Sequence, residues 1–183
     1  FNNFAKINNN VVRVWSEILK SIKNSKLILK SSIPLQTINI KNQFKKYGVL
    51  DSIIFSGSKP FKEHLNLYNS IDVCLDTFPY NGVTTSFEAL WMGIPVITKR
   101  GDSHVSSVGA SILTNIGLQN FIAKDLNQYI DLTKKISTDI DYLKELKSSL
   151  REKLKKSSLC DGVSFAKDIE DAGAKSLGIK DMA

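Results

Sequence analysis

Residues 71–98, IDVCLDTFPYNGVTTSFEALWMGIPVIT, decide the fold. They read as a strand at Val73-Cys74-Leu75, a Gly-containing loop over 79–83, a helix over 85–92 and a second strand over 95–98. Gly93-Ile94-Pro95 ends the helix and restarts extended backbone. A strand that enters a helix through such a loop presents unpaired backbone N–H groups and the positive end of the helix dipole. That arrangement is an anion site, most often a phosphate site.

Outward from this stretch the same alternation continues. Val11, Val12, Val14, Trp15, Ile18, Leu19 and Ile22 recur at helical spacing behind Asn8-Asn9-Asn10, the candidate caps. Leu27-Ile28-Leu29 and Ile53-Ile54-Phe55 are short apolar runs of the kind found in buried strands. A helix is expected over 38–47, stopped by Gly48, and another from Pro60, as first helical residue, to about Asn69. Apolar strands alternating with helices predict an α/β fold with a doubly wound, mostly parallel Rossmann-like sheet. Ligands of such sheets bind beyond the carboxyl ends of the strands, where the 79–83 loop lies.

From Asp125 the pattern is helical only. Leu126, Tyr129 and Ile130 form one face; Leu143, Leu146, Leu150 and Leu154 form another. After a polar break, Phe165, Ile169 and Ala172 fit a last helix. The expected organisation is a Rossmann-like lobe over 1–124 and a helical segment over 125–183 packed on it.

Composition narrows the class. The chain has 183 residues, 42% of them hydrophobic, enough for one domain with a core. No run of about 18 apolar residues is present. The net charge of +7 comes from scattered lysines without an arginine stripe or interleaved aromatic platform, so nucleic-acid binding is not the expected role. Cys74, expected to be buried, and Cys160 form no framework and suggest a reducing, cytoplasmic setting. The start, Phe1-Asn2-Asn3-Phe4, carries neither Met nor a signal-peptide pattern, and the chain is expected to be part of something longer.

Each candidate residue has two readings. Gly82-Val83-Thr84-Thr85 is either a phosphate cradle or an ordinary helix cap. Glu88, placed on the first helical turn, closes a T-x-x-E capping box with Thr85 or accepts hydrogen bonds from a ribose. Lys6 neutralises a diphosphate or is a solvated loop lysine. His64 is a site histidine or part of an amphipathic surface. His104 sits in the loop after the last strand. Asp139-Ile140-Asp141 reads as a helix-start pair rather than a metal-binding Asp-x-Asp, and no Cys/His cluster has metal-ligand spacing. G-x-S-x-G, G-x-G-x-x-G and the P-loop pattern are absent.

The stretches Asp72-Val-Cys-Leu-Asp-Thr, Asn81-Gly-Val-Thr-Thr and Glu88-Ala-Leu-Trp-Met-Gly-Ile-Pro-Val-Ile-Thr, with Phe1-Asn-Asn-Phe-Ala-Lys-Ile, Gly109-Ala-Ser-Ile-Leu-Thr and Asp139-Ile-Asp-Tyr-Leu, resemble the protein O-GlcNAc transferase family, including its plant Spindly-type members. The resemblance runs from residue 1 to about 170. It implies the C-terminal, donor-binding lobe of a GT-B glycosyltransferase that moves a sugar to Ser or Thr hydroxyls with inversion and without a metal. UDP-GlcNAc is the first expectation for the donor; no other cofactor is implied. By the same resemblance Lys6 stabilises the leaving group, with Asn3 beside it. Lys59, Pro60 and Phe61 meet the base, His64 faces the donor, Thr84 and Thr85 bind the diphosphate, and Glu88 takes the ribose. Animal members carry histidine at Val83, lysine at Phe61 and aspartate at Glu88. These departures keep open a GDP-fucose-dependent O-fucosyltransferase or a non-catalytic nucleotide-binding scaffold. The acceptor protein is expected to sit on an upstream lobe and tetratricopeptide repeats, and no base for its hydroxyl is identified in this chain.

Overall fold

The computed structural model describes residues 1–31 and 33–176. The Asn8 side chain accepts from the N–H groups of Asn10 and Val11 and so opens α1 (Asn9–Ser21). Val11, Val12, Val14, Trp15 and Ile18 bury the expected face of α1. Then follow β1 (Leu27–Lys30), α2 (Pro34–Lys46), β2 (Ile53–Ser56), α3 (Phe61–Leu67), β3 (Cys74–Leu75), α4 (Thr84–Trp91) and β4 (Val96–Lys99). The chain continues through α5 (His104–Asn115), β5 (Ile122–Ala123), α6 (Leu126–Thr138), α7 (Ile140–Lys155) and α8 (Gly162–Ser176).

Every described ladder is parallel, as the alternation predicts. β1 pairs with β2, Leu27 opposite Ile53, and β4 lies between β3 and β5. The two sheets are not hydrogen-bonded to each other. A groove of about 650 Å³ separates them, lined by Ile28 of β1, Val73 and Cys74 beside and on β3, and Trp15 of α1. Cys74 is therefore half-buried rather than enclosed, and its surroundings push the thiol up to about 11, chiefly by burial.

Boundaries differ from the sequence pattern where prolines and serines act locally. Pro34 opens α2 earlier than its apolar spacing suggests, while Pro60 is the residue before α3 and not its first. Helix α5 is not visible in the apolar pattern. A capping box between Ser103 and Ser106 starts it, and Gly109 interrupts its buried face. His104 is the first residue of α5 and exposed, not part of a loop. β5 has only two residues, too few to leave a periodic signal.

Of the helical segment expected to pack on the lobe, α6 and α7 share the core of the sheet and α8 buries no residue in it. Leu143, Leu146, Leu150 and Leu154 of α7 and Tyr129 of α6 are buried in one cluster with Val96 and Ile97 of β4. Full burial of each leucine is worth about 1.5–3 kcal/mol. Asp139 caps α7 through the Tyr142 N–H, and Asp141 pairs with Lys144, in agreement with the helix-start reading. In α8, Val163, Phe165 and Ile169 are exposed. Residues 177–183 of the expected helical segment lie outside the described residues.

Candidate functional site

β3 delivers Asp76 to its carboxyl end, and the loop after it folds back over that side chain. Asp76 Oδ1 accepts from the N–H groups of Thr77 (2.9 Å) and Gly82 (2.7 Å), and Oδ2 from the Thr98 hydroxyl (2.7 Å). The carboxyl is only 2% exposed. Burial raises it to about 6, against the opposing pull of the Gly82, Thr98 and Thr77 donors and of Lys6. Asn81, fully buried, donates to Thr77 O and accepts from the Gly109 N–H. The loop is thus held from inside. Sequence reasoning missed Asp76; its signal is a charged residue ending an apolar strand beside a Gly loop.

Lys6 ends the 3₁₀ turn Phe4–Lys6, which the Asn3 side chain opens by accepting from the Ala5 N–H. Lys6 Nζ donates to Asn81 O at 2.8 Å and lies 4.2 Å from the centre of the Tyr80 ring. Burial lowers the ammonium from the usual lysine range and Asp76 opposes that shift. It is therefore not a freely solvated loop lysine. Asn3 is exposed and engaged with its own turn.

Helix α4 starts at Thr84 behind Val83, with no side-chain cap. The Thr84 and Thr85 N–H groups have no partner among the described residues. The Thr85 hydroxyl donates to Asn2 Oδ1 at 2.8 Å. Gly82 is required by close approach: a Cβ there would stand 2.5 Å from Thr85 Oγ1 and 2.6 Å from Asn2 Oδ1. Asn2, a second residue missed in the sequence, thus closes the loop against α4.

The Thr85–Glu88 capping box, one of the two readings of Glu88, is not formed. Because the helix begins at Thr84, Glu88 is its fifth residue, on the second turn and too far along to reach back. It turns to α3 instead, where Oε2 accepts from His64 Nε2 (3.0 Å) and from the Tyr68 hydroxyl (3.2 Å). His64 is buried, 6% exposed, which overturns the amphipathic-surface reading. Lys30 Nζ stands 3.5 Å from His64 Nδ1. An ammonium on one side and a carboxylate on the other select the tautomer with the proton on Nε2. Burial first, then Cys74 and Glu88, hold the Tyr68 hydroxyl well above the usual phenol range.

The structure therefore brings together Lys6, Gly82, Thr84 and Thr85 around the loop, and His64 with Glu88 beside α4. Lys59, Pro60 and Phe61 form an exposed rim at the start of α3, where Lys59 pairs with Glu63 at 3.8 Å. Val83 is exposed at the entrance to α4. The intersheet groove is lined by Asn2, Tyr68, Asp76 and Thr85 and so borders this cluster, but it does not include Lys6, Gly82, His64 or Glu88.

A parallel α/β lobe with an uncapped helix start beyond the end of β3, faced by a half-buried lysine, defines the class: the Rossmann-like half of a GT-B catalytic region. The chain belongs to glycosyl transferase family 41, whose profile matches residues 1–169. It is 37% identical over 183 residues to a rice protein named probable UDP-N-acetylglucosamine–peptide N-acetylglucosaminyltransferase SPINDLY, covering 94% of this chain and 19% of that protein. The UDP-N-acetylglucosamine–peptide N-acetylglucosaminyltransferase of Caenorhabditis elegans is 32% identical over 176 residues, 93% of this chain and 15% of that protein. A solved mutant of the Thermobaculum terrenum O-GlcNAc transferase superposes with a TM-score of 0.89 at 33% identity, covering 96% of this chain and 34% of the other. The chain thus spans about a fifth of the length of the plant relatives.

Proposed function

We propose that this chain is the donor-binding lobe of a protein O-glycosyltransferase, and that the donor is UDP-GlcNAc. The observation that carries the reading is the placement of Lys6 on the loop that leads into the uncapped start of α4. A cation on the loop and the free N–H groups of the helix it leads into are the kinds of group that bind a diphosphate. Family membership and the names of the relatives support the sugar and the protein acceptor.

In this reading the acceptor hydroxyl forms a bond to the anomeric carbon while the bond to the β-phosphate breaks, with inversion. Negative charge grows on the departing phosphate oxygen. Lys6, the Thr84 and Thr85 N–H groups and the α4 dipole stabilise it, and the reading assigns that task to no metal ion. Glu88 accepts from the ribose hydroxyls, held in place by His64 and Tyr68. The exposed rim Lys59-Pro60-Phe61 meets the base through its backbone. The acceptor protein and the base for its hydroxyl belong to other parts of the full-length protein.

A thermal-shift panel of UDP, UDP-GlcNAc, GDP and GDP-fucose on the full-length protein tests this. Stabilisation by the uridine compounds supports the proposal. Stabilisation by the guanosine compounds alone moves the donor to GDP-fucose, an outcome consistent with Val83 at the entrance to α4. A response to none of the four leaves a scaffold and overturns the donor-site reading.

A further inference from the structure

One peptide unit of the loop is gripped at both ends. The C=O and N–H of a trans peptide plane point in opposite directions, and the Asn81–Gly82 bond is trans. Its carbonyl accepts from Lys6 Nζ at 2.8 Å, and its N–H donates to Asp76 Oδ1 at 2.7 Å. The plane cannot rotate without breaking both bonds. The same Oδ1 stands 3.5 Å from Asn2 Nδ2, and Asn2 Oδ1 accepts a hydrogen bond from the Thr85 hydroxyl. Two lines thus run from one carboxylate to the groups that face the donor.

From this geometry we infer that Asp76 is the positioning residue of the phosphate site. It orients the 81–82 peptide and through it the Lys6 ammonium, and through Asn2 it orients the Thr85 hydroxyl. The inference rests on the donor-site reading above. Asp76 is only 2% exposed, so it acts on a donor through these groups rather than by touching it.

A neutral acceptor would serve a purely structural purpose better. Asparagine presents the same Oδ1 to the Gly82 and Thr77 N–H groups, and the Thr98 hydroxyl can turn to accept from its amide. The carboxylate instead carries a buried charge whose desolvation opposes folding, offset only in part by its donors. What the charge adds is an attraction to Lys6, which opposes the lowering of that ammonium by its own desolvation. The titratable side chains that face Asp76 are Lys6 from the N-terminal turn, Cys74 on its own strand and Tyr129 of α6. Thr98 of β4 and Gly109 of α5 close the pocket without charge.

The test uses the full-length protein with UDP-GlcNAc and two variants, Asp76→Asn and Thr98→Val. Asp76→Asn is expected to melt within about 2 °C of the parent or above it at neutral pH. Its KM for UDP-GlcNAc should nevertheless rise about tenfold or more. The acid limb of kcat/KM, expected near pH 6 in the parent, should vanish. Thr98→Val removes one donor to Oδ2 in nearly the same volume, so it should move the acid limb to higher pH. Parent-like KM and an unchanged limb in Asp76→Asn overturn the inference. If Asp76→Asn does not fold, the limb of Thr98→Val decides, and an unshifted limb overturns it. A parent that does not bind UDP-GlcNAc fails earlier and overturns the donor-site reading together with this one.

Discussion

His64 Nε2 lies 3.0 Å from Glu88 Oε2 and ties α3 to α4 beside the loop. Tyr68 reaches the same oxygen at 3.2 Å, while Glu88 Oε1 makes no hydrogen bond among the described residues. A carboxylate fixed through one oxygen and open at the other is preorganised to accept hydrogen bonds from the hydroxyls of a ligand. Hydrogen bonds to a charged group are worth about 1.5–3 kcal/mol, so Glu88→Ala should weaken UDP binding by about tenfold or more. Tyr68→Phe, which leaves His64 in place, should weaken it less. Isothermal titration of the full-length protein with UDP measures both. Equal affinities for Glu88→Ala and the parent would remove Glu88 from the site.

Lys6→Met keeps most of the side-chain volume and removes the charge. If Lys6 stabilises the leaving diphosphate, turnover should fall by about 10²–10³ or more with circular dichroism and melting temperature retained. The ammonium also bonds Asn81 O, so a smaller loss of donor affinity is expected alongside. Near-normal kcat in this variant would take the leaving-group role away from Lys6.

The parts of this molecule that could be read in advance are the local ones. The apolar runs before Lys30, Ser56 and Asp76 show as strands because each is short, continuous and apolar, although Ile54 of β2 is 47% exposed in the fold. The heptad-like leucines of α7 show because one helical face carries them all. Helix α5 did not show, since serine, glycine and threonine dilute its buried face. The site divides the same way. Gly82-Val83-Thr84-Thr85 is contiguous and legible, whereas the partners of Glu88 lie 20 and 24 residues upstream and meet it only in three dimensions. The capping-box reading of Glu88 failed on one residue of helix start. Asn2 and Asp76 meet across a sequence separation of 74 residues, so nothing in their local sequence announces the pairing.

Asp76 also imposes a pH dependence on stability. Its carboxyl, at about 6 in the folded chain against an ordinary 3.8, binds its proton more tightly when folded. Its contribution therefore becomes less favourable as pH rises through that window, by at most about 3 kcal/mol. Other groups titrate there too, so the difference between Asp76→Asn and the parent isolates it. Urea midpoints at about pH 4, 6 and 8 should show the variant gaining on the parent with each step. A difference that stays flat with pH would contradict the raised value.

Gly82→Ala should damage the site more than the fold. Its new methyl would press on Thr85 Oγ1 and Asn2 Oδ1, two side-chain atoms already bonded to each other. That bond must open, and the Thr85 hydroxyl must turn away from its present place. Overpacking of this kind costs about 1–3 kcal/mol. The expected result is a modest drop in melting temperature with UDP affinity lowered more than stability. A variant that binds UDP like the parent shows that the closure by Asn2 is dispensable.

Tyr129 supplies the opposite case, a buried polar group whose loss should fall on stability first. It is fully buried on α6, its ring edge-on to Phe78 with centres 5.4 Å apart. Its hydroxyl donates to Asp76 O at 2.8 Å and accepts from the Trp15 indole N–H at 3.4 Å, so one atom joins α1, α6 and the end of β3. Tyr129→Phe keeps the ring and removes both bonds. The Trp15 N–H then loses this acceptor in a buried position, and a cost of about 1–3 kcal/mol follows. Leu150→Ala, on the buried face of α7, should cost more, about 2–5 kcal/mol, because it opens a cavity. Denaturant unfolding of the two variants ranks them. A Tyr129→Phe loss larger than that of Leu150→Ala would mean that the hydroxyl, rather than apolar packing, dominates the joint between the helices and the sheet.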